Sequence, residues 1–441
     1  MIELRPQPIG LFASPADGLL LPKVMGCETC HVSLLQGDLS GTPPKGWEFF
    51  YAAARGDVAY AWDLMQGESS QIAEYNRFIL RPDASAYAAL RSSIDGPLAR
   101  LLDAAAYSQG LRDAWDDESA VRGDASLDRE LAWQGALESD EIVSLDGELL
   151  AWTLAAAAAA DLERRQLFDA KLKLKSAVEA SREASPLLTA VLLGQYAELT
   201  HHTPGFAPAL VIQHYREAIQ LANQGRLPLL AAHLSMNLGM AYQQSANGQR
   251  GALLEAVNAY QAALHGGLTA DEHPELFAQL QNNLGIAYLS MPAVESSNQL
   301  RIGVAIQSFR HALTVYDRER HPDMWASVSM NLANALQYAP SSHPEENLQQ
   351  AVRIYEEVLQ VRVCAKDPCA YALTLLNQAN ALAHLGAFKP SLEKAAEAYR
   401  LFTCHDFVEQ AEAALELLDQ INLRREELRV GAEGTLEAHA R

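Results

Sequence analysis

The stretch Val24–Leu35 places Cys27, Cys30 and His31 in the spacing C-x-x-C-H. Two thiols and an imidazole so close together suit three kinds of chemistry. They can form the thioether links and axial ligand of a c-type haem. They can hold zinc or another soft metal once a fourth ligand arrives from elsewhere, for example Cys364, Cys369, Cys404 or His405. Or the thiols can act as small apolar residues in an irregular segment. The chain carries 5 cysteines, an odd number, and its start, MIELRPQPIGLF, lacks a basic stretch leading into a long apolar run with a small-residue cleavage site. The expectation is a cytoplasmic protein with reduced thiols, a setting in which haem is not generally attached covalently. Without export and without a second C-x-x-C, the apolar reading leads. No resident cofactor is expected, and a metal at Cys27, Cys30 and His31 ranks above haem as the alternative.

Other catalytic constellations are missing from the sequence. It holds no Gly-rich phosphate loop, no H-E-x-x-H and no G-x-S-x-G. His201 and His202 precede Thr203 and Pro204 in what reads as a turn. The expectation is therefore a protein that is not an enzyme.

Charge narrows the partners. The 441 residues are 49% hydrophobic and carry a formal net charge of −21. Duplex nucleic acid and anionic membrane surfaces both require clustered Lys and Arg, so neither is an expected partner. The longest apolar run, LLAWTLAAAAAA from Leu149 to Ala160, is too short to span a bilayer and is rich in helix-favouring alanine.

These residues need elements to position them, and the chain divides by composition. Residues 1–46 are punctuated by Pro and Gly, which predicts extended loops with one or two short strands. From Trp47 to residue 112 the pattern is helical. WEFFYAAARGDVAYAWDLM reads as two helices with Gly56 as stop and Asp57 as N-cap. Further helices are expected over Gln71–Leu80, Asp83–Ser93 and Pro97–Leu111. Residues 113–148 form an acidic connection holding roughly half of the net negative charge. Residues 149–425 read as a helical array, and 426–441 as a tail.

Within that array the sequence repeats. MNLGMAYQQS, NNLGIAYLSM, MNLANALQYA and LNQANALAHL bring asparagine back as Asn237, Asn283, Asn331 and Asn377, a period of 46 to 48 residues. Between them fall AVNAYQAAL, AIQSFRHAL, AVRIYEEVL and the looser AAEAYRLF. Each repeat thus has two amphipathic helices. In the first, Leu238, Gly239 and Tyr242 set a small residue between two fillers, which permits close approach of a neighbouring helix. In the second, Ala256, Tyr260 and Leu264 share one face at i, i+4 and i+8. A lone hairpin cannot bury both faces, whereas stacked hairpins can.

Asn-Leu-Gly-x-Ala-Tyr followed by Ala-x-x-x-Tyr/Phe-x-x-Ala-Leu resembles the tetratricopeptide repeat, in a variety whose period exceeds the usual 34 or so residues. The resemblance implies an all-α solenoid of stacked helical hairpins that binds a peptide segment or protein client in a concave groove lined by first helices. It also implies that Asn237, Asn283, Asn331 and Asn377 face that groove, with Asn334 and Asn380 one turn on. A carboxamide offers donors and an acceptor and can pair with any extended backbone. It can equally pair with neighbouring helices, which leaves both readings open. Family members that grip a terminal carboxylate carry Lys or Arg one turn before this Asn. Here those places hold His233, Gln279, Ser327 and Leu373, or Leu234, Leu280, Val328 and Thr374. The cationic clamp is missing. Two alternatives to a scaffold remain: an accessory factor for a metalloenzyme that uses Cys27, Cys30 and His31, and a haem-binding electron carrier.

Overall fold

A computed structural model of the chain describes residues 4–5, 19–22, 41–111, 147–203, 207–266, 268–292, 298–340 and 343–439. It separates into two compact units, Met1–Ala241 and Tyr242–Arg441. Apart from one short strand pairing, the described elements are all helical.

In the first unit, β1 (Leu4–Arg5) pairs antiparallel with β2 (Leu21–Pro22). Five helices follow: α1 (Glu48–Ala54), α2 (Val58–Met65), α3 (Gln71–Leu80), α4 (Ala84–Arg91) and α5 (Gly96–Ser108). Gly56 ends the first at φ 87°, a left-handed value that costs glycine nothing. The Asp57 side chain then caps the second by accepting from the Tyr60 amide at 3.0 Å. Trp47, Phe50, Tyr75 and Leu101 close over one core that also takes in Leu19 and Leu20.

Beyond residue 146 the helices come in antiparallel pairs: α6 (Gly147–Glu163) with α7 (Leu167–Ala184), and α8 (Pro186–His201) with α9 (Pro208–Gln224). α10 (Pro228–Ser245) contains the unit boundary. Two of the turns here use the left-handed cap of Gly56 without its glycine. Arg165 (φ 61°) and Arg226 (φ 56°) take the strained position while the next amide reaches back to Asp161 or Ala222 at 2.8 and 2.9 Å.

The α5, α6 and α7 helices meet around a buried polar cluster. Lys173 Nζ lies 2.5 Å from Asp161 Oδ2, and their side chains are 8% and 1% exposed. The Tyr107 hydroxyl donates to the other Asp161 oxygen at 2.9 Å. Arg164 covers the Tyr107 ring, its guanidinium carbon 3.7 Å from the centroid.

The second unit continues with α11 (Arg250–His265), α12 (Pro274–Ser290), α13 (Asn298–Ala312), α14 (Pro322–Gln337), α15 (Pro344–Val361), α16 (Pro368–His384), α17 (Phe388–Cys404) and α18 (Val408–His439). Proline opens α12, α14, α15 and α16, where its missing N–H costs no helix bond. Helices α12 to α17 are 15 to 18 residues long, so longer helices as well as loops take up the long period. α18 continues through residues 426–439, since that stretch has no proline to stop it.

Packing follows the repeat. Tyr215, Tyr260, Phe309 and Tyr355, at one position of successive second helices, are fully buried. In the last pair Phe402 takes that place and Tyr399 is half-exposed. Gly285 makes the close approach that its small size suggests: a Cβ added there would fall 2.6 Å from Phe309 Cε1. Gly194 does the same beneath Leu234. These pairs build the all-α stack of helical hairpins.

Candidate functional site

In the second unit each first helix packs on its own second helix and also touches the first helix of the next pair: α12 on α14, α14 on α16, and α16 on α18. The second helices α13, α15 and α17 approach one another less closely. First helices therefore line the inner side of the curve within this unit. A largely half-buried stripe on them runs through Gln279, Asn283, Ile286, Ser327, Asn331, Asn334, Leu373, Asn377 and Asn380 along three parallel helices. The stripe is made of amides, two apolar side chains and one hydroxyl, with no ionised side chain.

All six predicted asparagines are half-buried, and the structure sorts them by partner. Asn334 Oδ1 accepts from the Tyr355 hydroxyl at 2.5 Å. Asn237, on α10 in the first unit, bonds the Tyr215 hydroxyl. Both tyrosines are fully buried, and burial holds both phenols well above their ordinary pKa. Asn331 Nδ2 donates to Asn282 Oδ1 at 3.0 Å, tying α14 to α12. Asn380 Nδ2 donates to the Tyr338 hydroxyl at 3.1 Å. Asn283 and Asn377 have no hydrogen-bond partner among the described residues.

The repeat itself explains part of this sorting. Where the buried aromatic is Tyr355, the facing first helix supplies Asn334. Where it is Phe309, which has no hydroxyl, the matching position is Ile286, packed in the same core. The Tyr260 hydroxyl instead donates to Gln243 Oε1 at 2.7 Å. Asn334→Leu is therefore expected to destabilise the second unit by about 1–2 kcal/mol, because it strands a buried hydroxyl. Adding Tyr355→Phe should recover most of the loss, a cycle that denaturant unfolding measures.

The positions where a cationic clamp would sit divide by helix face. Leu234, Leu280, Val328 and Thr374 are buried, while Ser327 faces solvent and Gln279 is half-buried. A cation reaches the first-helix layer by a route the motif could not show. Arg362, which caps α15, extends Nη1 to the Thr374 hydroxyl at 2.9 Å, the Ala370 carbonyl at 3.0 Å and Met330 Sδ at 3.0 Å. Among the described residues no carboxylate bonds it, and burial pulls its pKa below the ordinary guanidinium value, partly offset by Asp367 and Asp323.

The helices form stacked hairpins at the period of the repeated phrases. No family model matches the chain, and no curated protein matches it. Solved structures give low-identity likenesses. The apo form of RapI is 12% identical, covers 84% of this chain and 97% of its own, and has a TM-score of 0.47. A Rap protein complexed with competence and sporulation factor is 13% identical, covers 84% and 99%, and scores 0.38. The TPR2AB-domain:pHSP90 complex of yeast Sti1 is 15% identical, covers 62% and 98%, and scores 0.25.

Cys27, Cys30 and His31 lie outside the described residues, as does most of the acidic connection. Cys364, Cys369 and Cys404 are free thiols, and burial pushes the Cys369 thiol up in pKa. Among the described residues no three His, Cys, Asp or Glu side chains converge to hold a metal ion. No helix among them is long and apolar enough to cross a membrane.

Proposed function

We propose that the first-helix face of the second unit holds an extended, largely uncharged polypeptide segment, and that the protein serves as an interaction scaffold. One observation carries this reading: Asn283 and Asn377 keep their full hydrogen-bonding capacity on a half-buried face where the other carboxamides are committed. A partly desolvated amide gains most from a partner that brings both a donor and an acceptor, as a peptide backbone does. Ile286 and Leu373 between the amides offer apolar contact to the partner's side chains. With no Lys on the stripe and a net charge of −21, acidic segments are disfavoured.

Peptides selected from a random display library against the full chain test this reading. The selected sequences should be neutral and apolar-rich. Asn283→Leu and Asn377→Leu should each weaken their binding by about 3- to 10-fold, the worth of one net hydrogen bond. Neither substitution should lower the unfolding midpoint. Undiminished binding to the double variant would remove this face as the site.

A further inference from the structure

A second carboxamide site lies in the first unit, and it already grips a strand. Asn76 on α3 is 1% exposed. Its Oδ1 accepts from the Leu20 amide and its Nδ2 donates to the Leu20 carbonyl, both at 2.8 Å. That two-point pairing satisfies the whole backbone polarity of one extended residue and ignores its side chain, as sheet pairing does. Leu19 and Leu20 are 0% exposed in the core around Trp47, Phe50 and Tyr75. The segment has the form of a bound peptide: two buried anchors and one residue read through its backbone, with β1 pairing beside it.

A pocket adjoins the site. Beside Asn76 an open pocket of about 200 Å³ lies between α1, α2 and α3, walled by Phe49, Leu64, Met65 and Ile72 with Glu48, Glu68 and Ser70 on its polar side. This is volume enough for one or two further apolar side chains.

We infer that the Asn76 site is a receptor for an extended leucine-rich strand, occupied in cis by Leu19–Pro22 and open to a peptide of the same chemistry when that segment leaves. This site is separate from the first-helix face of the second unit, so either can fail while the other stands.

The test uses the full chain with Leu19→Ser and Leu20→Ser, and a labelled peptide of residues 17–24, Asp-Gly-Leu-Leu-Leu-Pro-Lys-Val. The peptide should bind this variant one to one and at least about tenfold tighter than it binds the unaltered chain, whose own segment competes. Adding Asn76→Ala should cost a further tenfold or so. Equal binding to variant and unaltered chain, binding indifferent to Asn76, or no binding by a variant of native helicity would each overturn the proposal. A second arm inserts a protease site after Thr42. Cutting there should leave helicity unchanged and let the labelled peptide displace the cleaved N-terminal piece. A cleaved chain that loses the helices of residues 48–108, or that never exchanges its segment, would show Leu19 and Leu20 to be ordinary core and would overturn the proposal too.

Discussion

Lys173→Met is expected to lower the free energy of unfolding of the first unit by about 3–5 kcal/mol, the usual cost of breaking a buried ion pair from one side. Its ammonium sits 2.5 Å from Asp161, whose side chain is 1% exposed. Without it, that carboxylate keeps the Tyr107 hydroxyl at 2.9 Å as a neutral donor and loses its close cation. The apolar methionine fills similar volume, so the loss comes from charge and not from a cavity. The double change Asp161→Leu with Lys173→Met removes both charges and should cost markedly less than the single change. Guanidinium unfolding, with hydrogen exchange in α6 and α7 to locate the effect, checks both. A single variant as stable as the double would mean that the pair is less desolvated than its burial indicates.

Gly285→Val is the second large effect. The first branch atom would start 2.6 Å from the Phe309 ring, and two methyl groups would follow. Helix propensity favours valine over glycine by about 0.5 kcal/mol, but overpacking against a fully buried aromatic costs about 1–3 kcal/mol or more. We expect net destabilisation of about 2–3 kcal/mol, measured by thermal unfolding. Phe309→Leu should relieve it, because shortening the opposing ring restores the space. No rescue would indicate that the close approach at Gly285 is not what sets the α12–α13 spacing.

The two predictions differ in how visible they were in the sequence. Gly285 stands inside a repeated phrase, and the packing reason for a small residue there could be read from the fillers Leu284 and Tyr288, which match Leu238 and Tyr242. Lys173 and Asp161 could not be paired in that way, because their meeting depends on the turn at Arg165, a left-handed position with no glycine to announce it. Gly56 and Asp57, whose residue types state their conformations, were legible to the residue. In the looser phrase AAEAYRLF, Tyr399 stands in register with the earlier aromatics while the helix turns Phe402 into the core.

The candidate site was legible as a set of residues and not as a division of labour. Asn334 and Asn377 occupy alike-looking phrases. What separates them is a hydroxyl 21 residues away in sequence, which Tyr355 brings to Asn334. Arg362 shows the same limit from the other side. Its guanidinium reaches Thr374 from the end of a second helix, so no motif on the first helices could register it. Spacing along one helix reports which residues share a face, whereas commitment of a polar group depends on the opposite element.

The central claim is that unspent carboxamides on the first helices meet a partner's backbone while the spent ones hold the fold. Side-chain amide spectra of asparagine-labelled protein, taken with and without a saturating selected peptide, test it most directly. The account predicts that the Asn283 and Asn377 signals move on binding while those of Asn237 and Asn334 stay in place. Movement of Asn237 and Asn334, with Asn283 and Asn377 unchanged in the bound state, would contradict it.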